Sequence, residues 1–352
     1  MIDRVEIKCF DDRITKHLTA EFFENLYGIA ENIDNGNGYT FKLHNPKTSI
    51  SNHLRITCPH VNNQGDYVTT FKIQNSLRKW WFGGKSVKDF SKQDFEAAIN
   101  YLFDILEVSK RKRKYFLISE IEVGMNVFVK LSCPEILNRI NGFKSRSYVC
   151  NTFGHNGIVY ETKTYKNYLK IYDKVEEISK NFKTSKVLYK DESQFLKDYA
   201  DKNIPRVEFT IDSPSQIKKR LGFNNLEDGI KHFENLYKYF WNEIRHIQFS
   251  NDFDDIPDID FTGKNDTEFL NFLAFVGKVK LGKEYVTRKS KQLKYRTIGK
   301  KLKKLSESVP QNPCLYGKYA FLKDIRNQML LSMYKSDCLH LVKELSLKKL
   351  DV

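Results

Sequence analysis

Residues 157–177, GIVYETKTYKNYLKIYDKVEE, constrain the fold more than any other stretch. Two runs with strand-like spacing, 158–162 and 168–174, flank a polar turn at 163–167, which is the pattern of a β-hairpin. Successive side chains on a strand point to opposite faces. Leu169, Ile171 and Asp173 therefore take one side, and Tyr168, Lys170, Tyr172 and Lys174 the other. Tyr172 lies between two lysines. A phenol with a pKa of about 10 is a poor nucleophile, and neighbouring cations that favour the tyrosinate are one way to activate it. The plainer reading is an ordinary hairpin tyrosine, and a register slip of one residue would put Tyr168 or Tyr165 in its place.

The hairpin needs partners, and the chain supplies them. Residues 4–10, 39–44, 53–57 and 67–74 are short runs rich in Val, Ile, Tyr, Phe and Thr, separated by turn-rich segments such as Asn35-Gly36-Asn37-Gly38. They read as antiparallel strands. Ser91 with Asp94 three residues on opens a helix whose stripe is Phe95, Ile99, Leu102, Phe103 and Leu106. A basic run at 110–114 ends it, and residues 115–129 return to strand spacing. There Leu117, Ile121 and Val123 share one face, and Glu120 and Glu122 share the other with Phe116 and Ile118. In residues 205–211, Val207, Phe209 and Ile211 alternate with Arg206, Glu208 and Thr210, which places Glu208 to join Glu120 and Glu122 if the strands pair. Solvated glutamates on an exposed face are the plain account. A site for a divalent cation, Mg²⁺ or Mn²⁺, is the functional one, because such ions take carboxylate oxygens held on rigid elements.

From residue 222 the period becomes helical, with Leu226, Ile230, Phe233, Leu236, Tyr237, Phe240, Trp241 and Ile244 on one stripe. Five aspartates in 252–260 read as a solvated linker around Pro257, a helix is expected through Phe269, Leu270, Leu273 and Phe275, and a last helix spans 319–334. The expected architecture is α+β. A mixed, largely antiparallel central sheet with flanking helices occupies residues 1–215, and a basic helical region follows over 216–352.

Charge narrows the partner. The chain has 352 residues and a net charge of +15, which favours a polyanion, nucleic acid first, over a small neutral metabolite. Residues 278–304 hold twelve Lys or Arg against one Glu. Lys300, Lys301, Lys303 and Lys304 there are the expected phosphate contacts, although charge runs are commonly no more than a solvated face. Arg78, Lys79, Trp80 and Trp81 join bases to aromatics and fit a stacking surface on a nucleic-acid strand, or tryptophans sealing the edge of the core. Six scattered cysteines and eight dispersed histidines exclude the usual zinc spacings and point to reduced thiols. No apolar run reaches a spanning length and the first residues lack a signal-peptide pattern, so a soluble, unexported, cytoplasmic protein is expected.

Three blocks in order resemble the replication initiators of rolling-circle elements, in particular the gene II proteins of filamentous phages and the related plasmid Rep_trans initiators. Ile118-Ser119-Glu120-Ile121-Glu122 is similar to that family's Arg-x-Asp strand, with Asn126 where a second aspartate often stands. The stretch from Gly157 to Lys174 is similar to the hairpin that ends in the nicking tyrosine. Ile204-Pro205-Arg206-Val207-Glu208-Phe209 is similar to the Leu-Arg-x-Glu-x-Arg strand. The match covers residues 115–212. It departs at Glu120, where arginine is usual, at Glu122, where aspartate is, and at Thr210, where arginine is common.

The resemblance implies a bacterial host cell and a metal-dependent nicking and joining enzyme. Tyr172 would attack a DNA phosphodiester, leaving a 5′-phosphotyrosine and a 3′-OH for a host polymerase, with a host helicase as a further partner. Glu122 and Glu208, with Glu120, would hold the ion, while Lys174 and Arg206 would stabilise the tyrosinate or the transition state. The rival class is a DNA-binding replication or transcription regulator without catalysis.

Overall fold

The structure is a computed structural model that describes residues 1–33, 39–48, 52–61, 67–83, 89–144, 148–152, 157–162, 169–185, 190–249 and 318–345. The turn at 163–167, Tyr165, Tyr168, the aspartate-rich segment, the helix expected at 269–275 and the basic segment with Lys300, Lys301, Lys303 and Lys304 lie outside the described residues.

The strands are β1 Ile2–Cys9, β2 Ala30–Asn32, β3 Thr40–His44, β4 His53–Thr57, β5 His60–Val61, β6 Tyr67–Val68 and β7 Phe71–Gln74. They continue with β8 Phe116–Asn126, β9 Ile140–Phe143, β10 Tyr148–Thr152, β11 Gly157–Thr162, β12 Leu169–Asp173, β13 Pro205–Ile211 and β14 Ile247–Phe249. Ten form one sheet in the order β10-β11-β12-β13-β8-β1-β7-β4-β3-β2. Every pairing in it is antiparallel. The expected hairpin is β11–β12, with Gly157 opposite Tyr172 and Tyr160 opposite Leu169.

The helices are α1 Asp12–Thr15, α2 Ala20–Glu24, α3 Leu77–Phe82, α4 Lys92–Ile105, α5 Cys133–Arg139, α6 Lys174–Ser185, α7 Lys190–Tyr199, α8 Pro214–Leu221, α9 Leu226–Lys231, α10 Asn235–Ile244, α11 Lys318–Lys335 and α12 Leu341–Glu344. A 3₁₀ turn, Lys110–Tyr115, leads into β8. Helix α4 starts as its sequence requires. Ser91 Oγ accepts from the Asp94 backbone N–H, and Asp94 accepts in return from the Ser91 N–H. Its whole predicted stripe is buried. The helical period after 222 is split between α9 and α10, yet all eight stripe residues are interior.

One apolar cluster joins the helices to one face of the sheet. Val5, Ile7, Ile121, Val123, Val207, Phe209 and Ile171 supply the strand side, and Phe95, Leu102, Ile217, Leu226 and Phe240 the helix side. The rings of Phe209 and Phe240 meet edge to face at 5.4 Å. The described helices after 215 therefore share this core instead of building their own. Tyr237 Oη on α10 donates to Ser332 O on α11 at 2.9 Å, bringing α11 to the same layer.

Two irregularities reset side-chain parity. Between β1 and β8 the pairs Ile7–Ile118 and Glu6–Glu120 leave Ser119 as an extra residue, and the pairs Ile2–Val123 and Val5–Ile121 place both Asp3 and Arg4 opposite Glu122. Such bulges shift the alternation by one. The expectation that Phe116 and Ile118 share a face with Glu120 and Glu122 is corrected here: both apolar residues are fully buried in the core, and the bulge at Ser119 returns Glu120 and Glu122 to the opposite face.

Among the described residues no helix is long and apolar enough to cross a membrane. Cys9, Cys58, Cys133 and Cys338 are buried free thiols. Burial pushes their acidity down, as unreactive thiols require.

Candidate functional site

The sheet face opposite the core carries a cleft of about 420 Å³ floored by β12, β13, β8 and β1. Register places its side chains in rows. Tyr172 on β12 faces Arg206 on β13, which faces Asn126 on β8. One row along, Lys170 faces Glu208, which faces Gly124. In the next, Thr210 faces Glu122.

Gly124 explains why two long side chains fit between strands. A Cβ there would come within 2.8 Å of Glu208 Cγ and 3.0 Å of the Val207 carbonyl oxygen. Gly124→Ala is accordingly expected to lower the midpoint of denaturant unfolding by an amount equivalent to about 1–3 kcal/mol, the usual cost of overpacking. A midpoint equal to wild type would contradict this account of the row.

Tyr172 Oη donates to Glu208 Oε1 at 3.0 Å, and Arg206 Nε donates to the same oxygen at 2.5 Å. The remaining nitrogens of Arg206 are also engaged, one with Asn126 Oδ1 at 3.0 Å and the other with Asp3 Oδ2 at 2.8 Å. Asp3 in turn accepts from Arg78 Nε at 2.9 Å and from Ser76 Oγ at 3.1 Å. Burial alone would raise the Asp3 carboxyl, but Arg78 and Arg206 hold it well below the usual carboxylate range. Burial likewise opposes charge on Arg206, and Asp3 and Glu208 outweigh it.

Glu122 behaves in the opposite way. It is 8% exposed, and burial, then the charges of Glu208 and Asp3, push its acid well above the ordinary value. Lys170 Nζ approaches Glu122 Oε1 at 3.6 Å, but that oxygen has no hydrogen-bond partner. Lys174 is fully buried, its pKa lowered by that burial, and it pairs with Glu177 at the start of α6. Asp173 opens that helix by accepting from the backbone N–H groups of Val175 and Glu176 at 2.9 and 3.1 Å.

Several sequence expectations change. The two lysines beside Tyr172 do not set its acidity. The phenol is paired with a carboxylate instead, and burial followed by the charge of Glu208 makes Tyr172 a weaker acid than free tyrosine. Glu120 does not join the carboxylate pair, because it lies a row further along β8, opposite Glu6, and meets Arg4 at 3.5 Å. Among the described residues no three His, Cys, Asp or Glu side chains come together as a metal cluster. Arg78 and Trp80 are 2% and 0% exposed, so they form no stacking surface: Arg78 binds Asp3, and Trp80 packs on Tyr101 of α4 at 6.0 Å. Lys79 lines the cleft, and Trp81 sits half-buried against the same tyrosine.

Asp3 and Glu177 are site residues that sequence reasoning misses. Strict alternation puts Asp3 on the face of Val5 and Ile7, and a carboxylate at an apolar parity is the available signal of a bulge. Glu177 stands three residues beyond Lys174, the spacing of neighbours on one helix face.

The family model for the N-terminal part of the replication-associated gene II protein of phages matches residues 1–227. The chain belongs to this family. The match includes β1 through α8, every residue of the cleft, and the three blocks in residues 115–212 that resemble gene II-type initiators. A search of curated proteins finds no match. Membership of this family supports a role as a rolling-circle replication initiator.

Proposed function

We propose that this protein starts rolling-circle replication by nicking and rejoining one DNA strand through Tyr172. The observation that carries the reading is the phenolic hydroxyl 3.0 Å from Glu208, inside an open cleft, in a chain of this family. The phenolic oxygen attacks phosphorus and its proton passes to Glu208. The bond from phosphorus to the 3′ oxygen breaks, that oxygen takes one proton from solvent to become the 3′-OH as Glu208 returns its proton to solvent, and the 5′ phosphate stays on Tyr172. Because the phosphodiester is exchanged and not hydrolysed, attack by the 3′-OH reverses the step and rejoins the strand. A positioned carboxylate base contributes on the order of 10²- to 10⁴-fold. Arg206 keeps Glu208 aimed at the phenol, and its own charge favours the tyrosinate as the proton leaves.

The donor set suits Mg²⁺ or Mn²⁺. A buried carboxylate oxygen of Glu122 without a hydrogen bond, beside Glu208, is a place for a hard cation, with water or phosphate oxygens completing its shell. When bound, such an ion would offset the charge of both carboxylates and of the phosphate. Lys170 would then be released from Glu122 to face the DNA backbone. The released 3′-OH is the end a host polymerase extends, with a host helicase opening the duplex ahead of it.

Denaturing electrophoresis after incubation with Mn²⁺ and a diverse pool of labelled single-stranded DNA tests the reading. Label should migrate with the wild-type protein and be lost with EDTA and in Tyr172→Phe. Label persisting in Tyr172→Phe would move the nucleophile to Tyr165 or Tyr168. No adduct at all, with salt-sensitive binding kept, would favour the non-catalytic regulator.

A further inference from the structure

The cleft does not stop at the catalytic strands. Its lining runs from Tyr172 on β12 across to His53 on β4, and the same face continues into a group of cations. Lys8 on β1 faces Lys72 on β7, and Arg55 on β4 faces Lys42 on β3. Arg55 lies two residues beyond His53 on β4, hence on the same face. Nothing in the reading of Tyr172 uses these residues.

Their charges are poorly compensated. Lys8 and Lys72 share one carboxylate, that of Glu6, at 3.3 and 3.1 Å. Glu6 is held in place by Ser119 Oγ at 2.8 Å and Gln74 Nε2 at 2.8 Å. Among the described residues Lys42 pairs only with the exposed Glu31, at 3.5 Å, and such pairs contribute little. Arg55 is exposed and has no carboxylate within 4 Å among the described residues. The opposite face of these strands is filled by the apolar core, so the four cations lie on the open face.

We infer that Lys8, Lys42, Arg55 and Lys72 form a backbone track for the single strand that carries the scissile phosphate, leading it away from Tyr172 across β1, β7, β4 and β3. The inference rests on DNA being the substrate. Strands are about 4.8 Å apart, so the four steps from β8 to β3 span roughly 19 Å, or roughly six nucleotides at the 3.4 Å stacked rise.

The test is fluorescence anisotropy of a labelled 20-nucleotide single strand in EDTA, across a salt series, with the full chain. Each single-strand phosphate contact contributes about 0.7 to the slope of log affinity against log salt. The Arg55→Ala/Lys72→Ala variant should lose about 1.4 of slope, roughly 25-fold in affinity at 0.1 M salt. Lys218→Ala/Lys219→Ala removes the same charge from exposed positions on α8, on the core side of the sheet, and should keep the slope. Thermal melts of both pairs separate binding loss from unfolding. An unchanged slope in the first pair, an equal loss in the second, or no single-strand binding by wild type would overturn the track. Absence of a Tyr172 adduct with the slope difference intact would strike the nicking reading alone.

Discussion

Asp3→Ala is expected to lower the melting temperature by on the order of 10 °C. Asp3 is 6% exposed and faces two arginines that are themselves 2% and 3% exposed. It accepts from Arg206 at 2.8 Å and from Arg78 at 2.9 Å. Removing one partner of a buried ion pair typically costs about 3–5 kcal/mol, because the remaining charge is left without compensation. Here two guanidiniums lose one carboxylate. Net stabilities are only about 5–15 kcal/mol, and each kcal/mol moves the midpoint of a chain near this size by roughly 2–4 °C. Asp3→Asn keeps an acceptor and loses the charge, so it should fall between wild type and alanine. The pH dependence carries the same sign. Asp3 has a folded pKa below its unfolded one, so its contribution is complete above about pH 4 and is lost as pH falls through the folded value. The asparagine variant should therefore show a flatter acid limb. Calorimetry across pH 2–7 decides it, and a melting temperature for Asp3→Ala within 2 °C of wild type would remove Asp3 from the framework of the site.

Unbroken alternation decides which parts of the fold are legible in the sequence. The β11–β12 hairpin, the α4 stripe and the Val207–Phe209–Ile211 face are legible because each keeps one period from end to end and the core enforces it. Reading fails where a bulge adds a residue. Ser119 and the Asp3–Arg4 pair each shift parity, and no local residue preference announces either. The convergence of Tyr172, Arg206, Glu122 and Glu208 is legible because they lie on adjacent strands in one register. It misleads for Glu120, which shares a strand face with Glu122 but sits beside Glu6 and Arg4. Arg78 and Trp80 show the limit of composition: a basic residue next to tryptophans looks like a nucleic-acid surface, but burial depends on the approach of α3 to β1 and α4. The weakened acidity of Tyr172 is also hidden, since it follows from burial and then from a carboxylate on the neighbouring strand, not from the lysines on its own.

Glu122→Gln should stabilise the metal-free protein and cripple its chemistry. The Glu122 acid is raised well above its ordinary value by burial and by Glu208 and Asp3. A carboxyl with a raised folded pKa stabilises the native state below the unfolded value, near 4.3, and that contribution is lost as pH rises through the folded value. Wild type should therefore lose about 1.4 kcal/mol of stability for each pH unit between those two values, while the glutamine variant, uncharged throughout, should not. Near neutral pH in EDTA the variant is expected to melt higher. The same change removes the carboxylate oxygen proposed to hold Mg²⁺ or Mn²⁺, so nicking should fall by about 10²- to 10³-fold, the effect of losing one electrostatic contributor. Addition of Mn²⁺ should raise the melting temperature of wild type, since a ligand bound only to the folded state stabilises it, and should leave the variant unmoved. A group kept against the stability of the fold is one retained for function. Equal or lower melting of Glu122→Gln across pH 5–8 in EDTA would show that Glu122 is an ordinary buried partner, and a Mn²⁺ shift surviving in the variant would place the ion on other ligands.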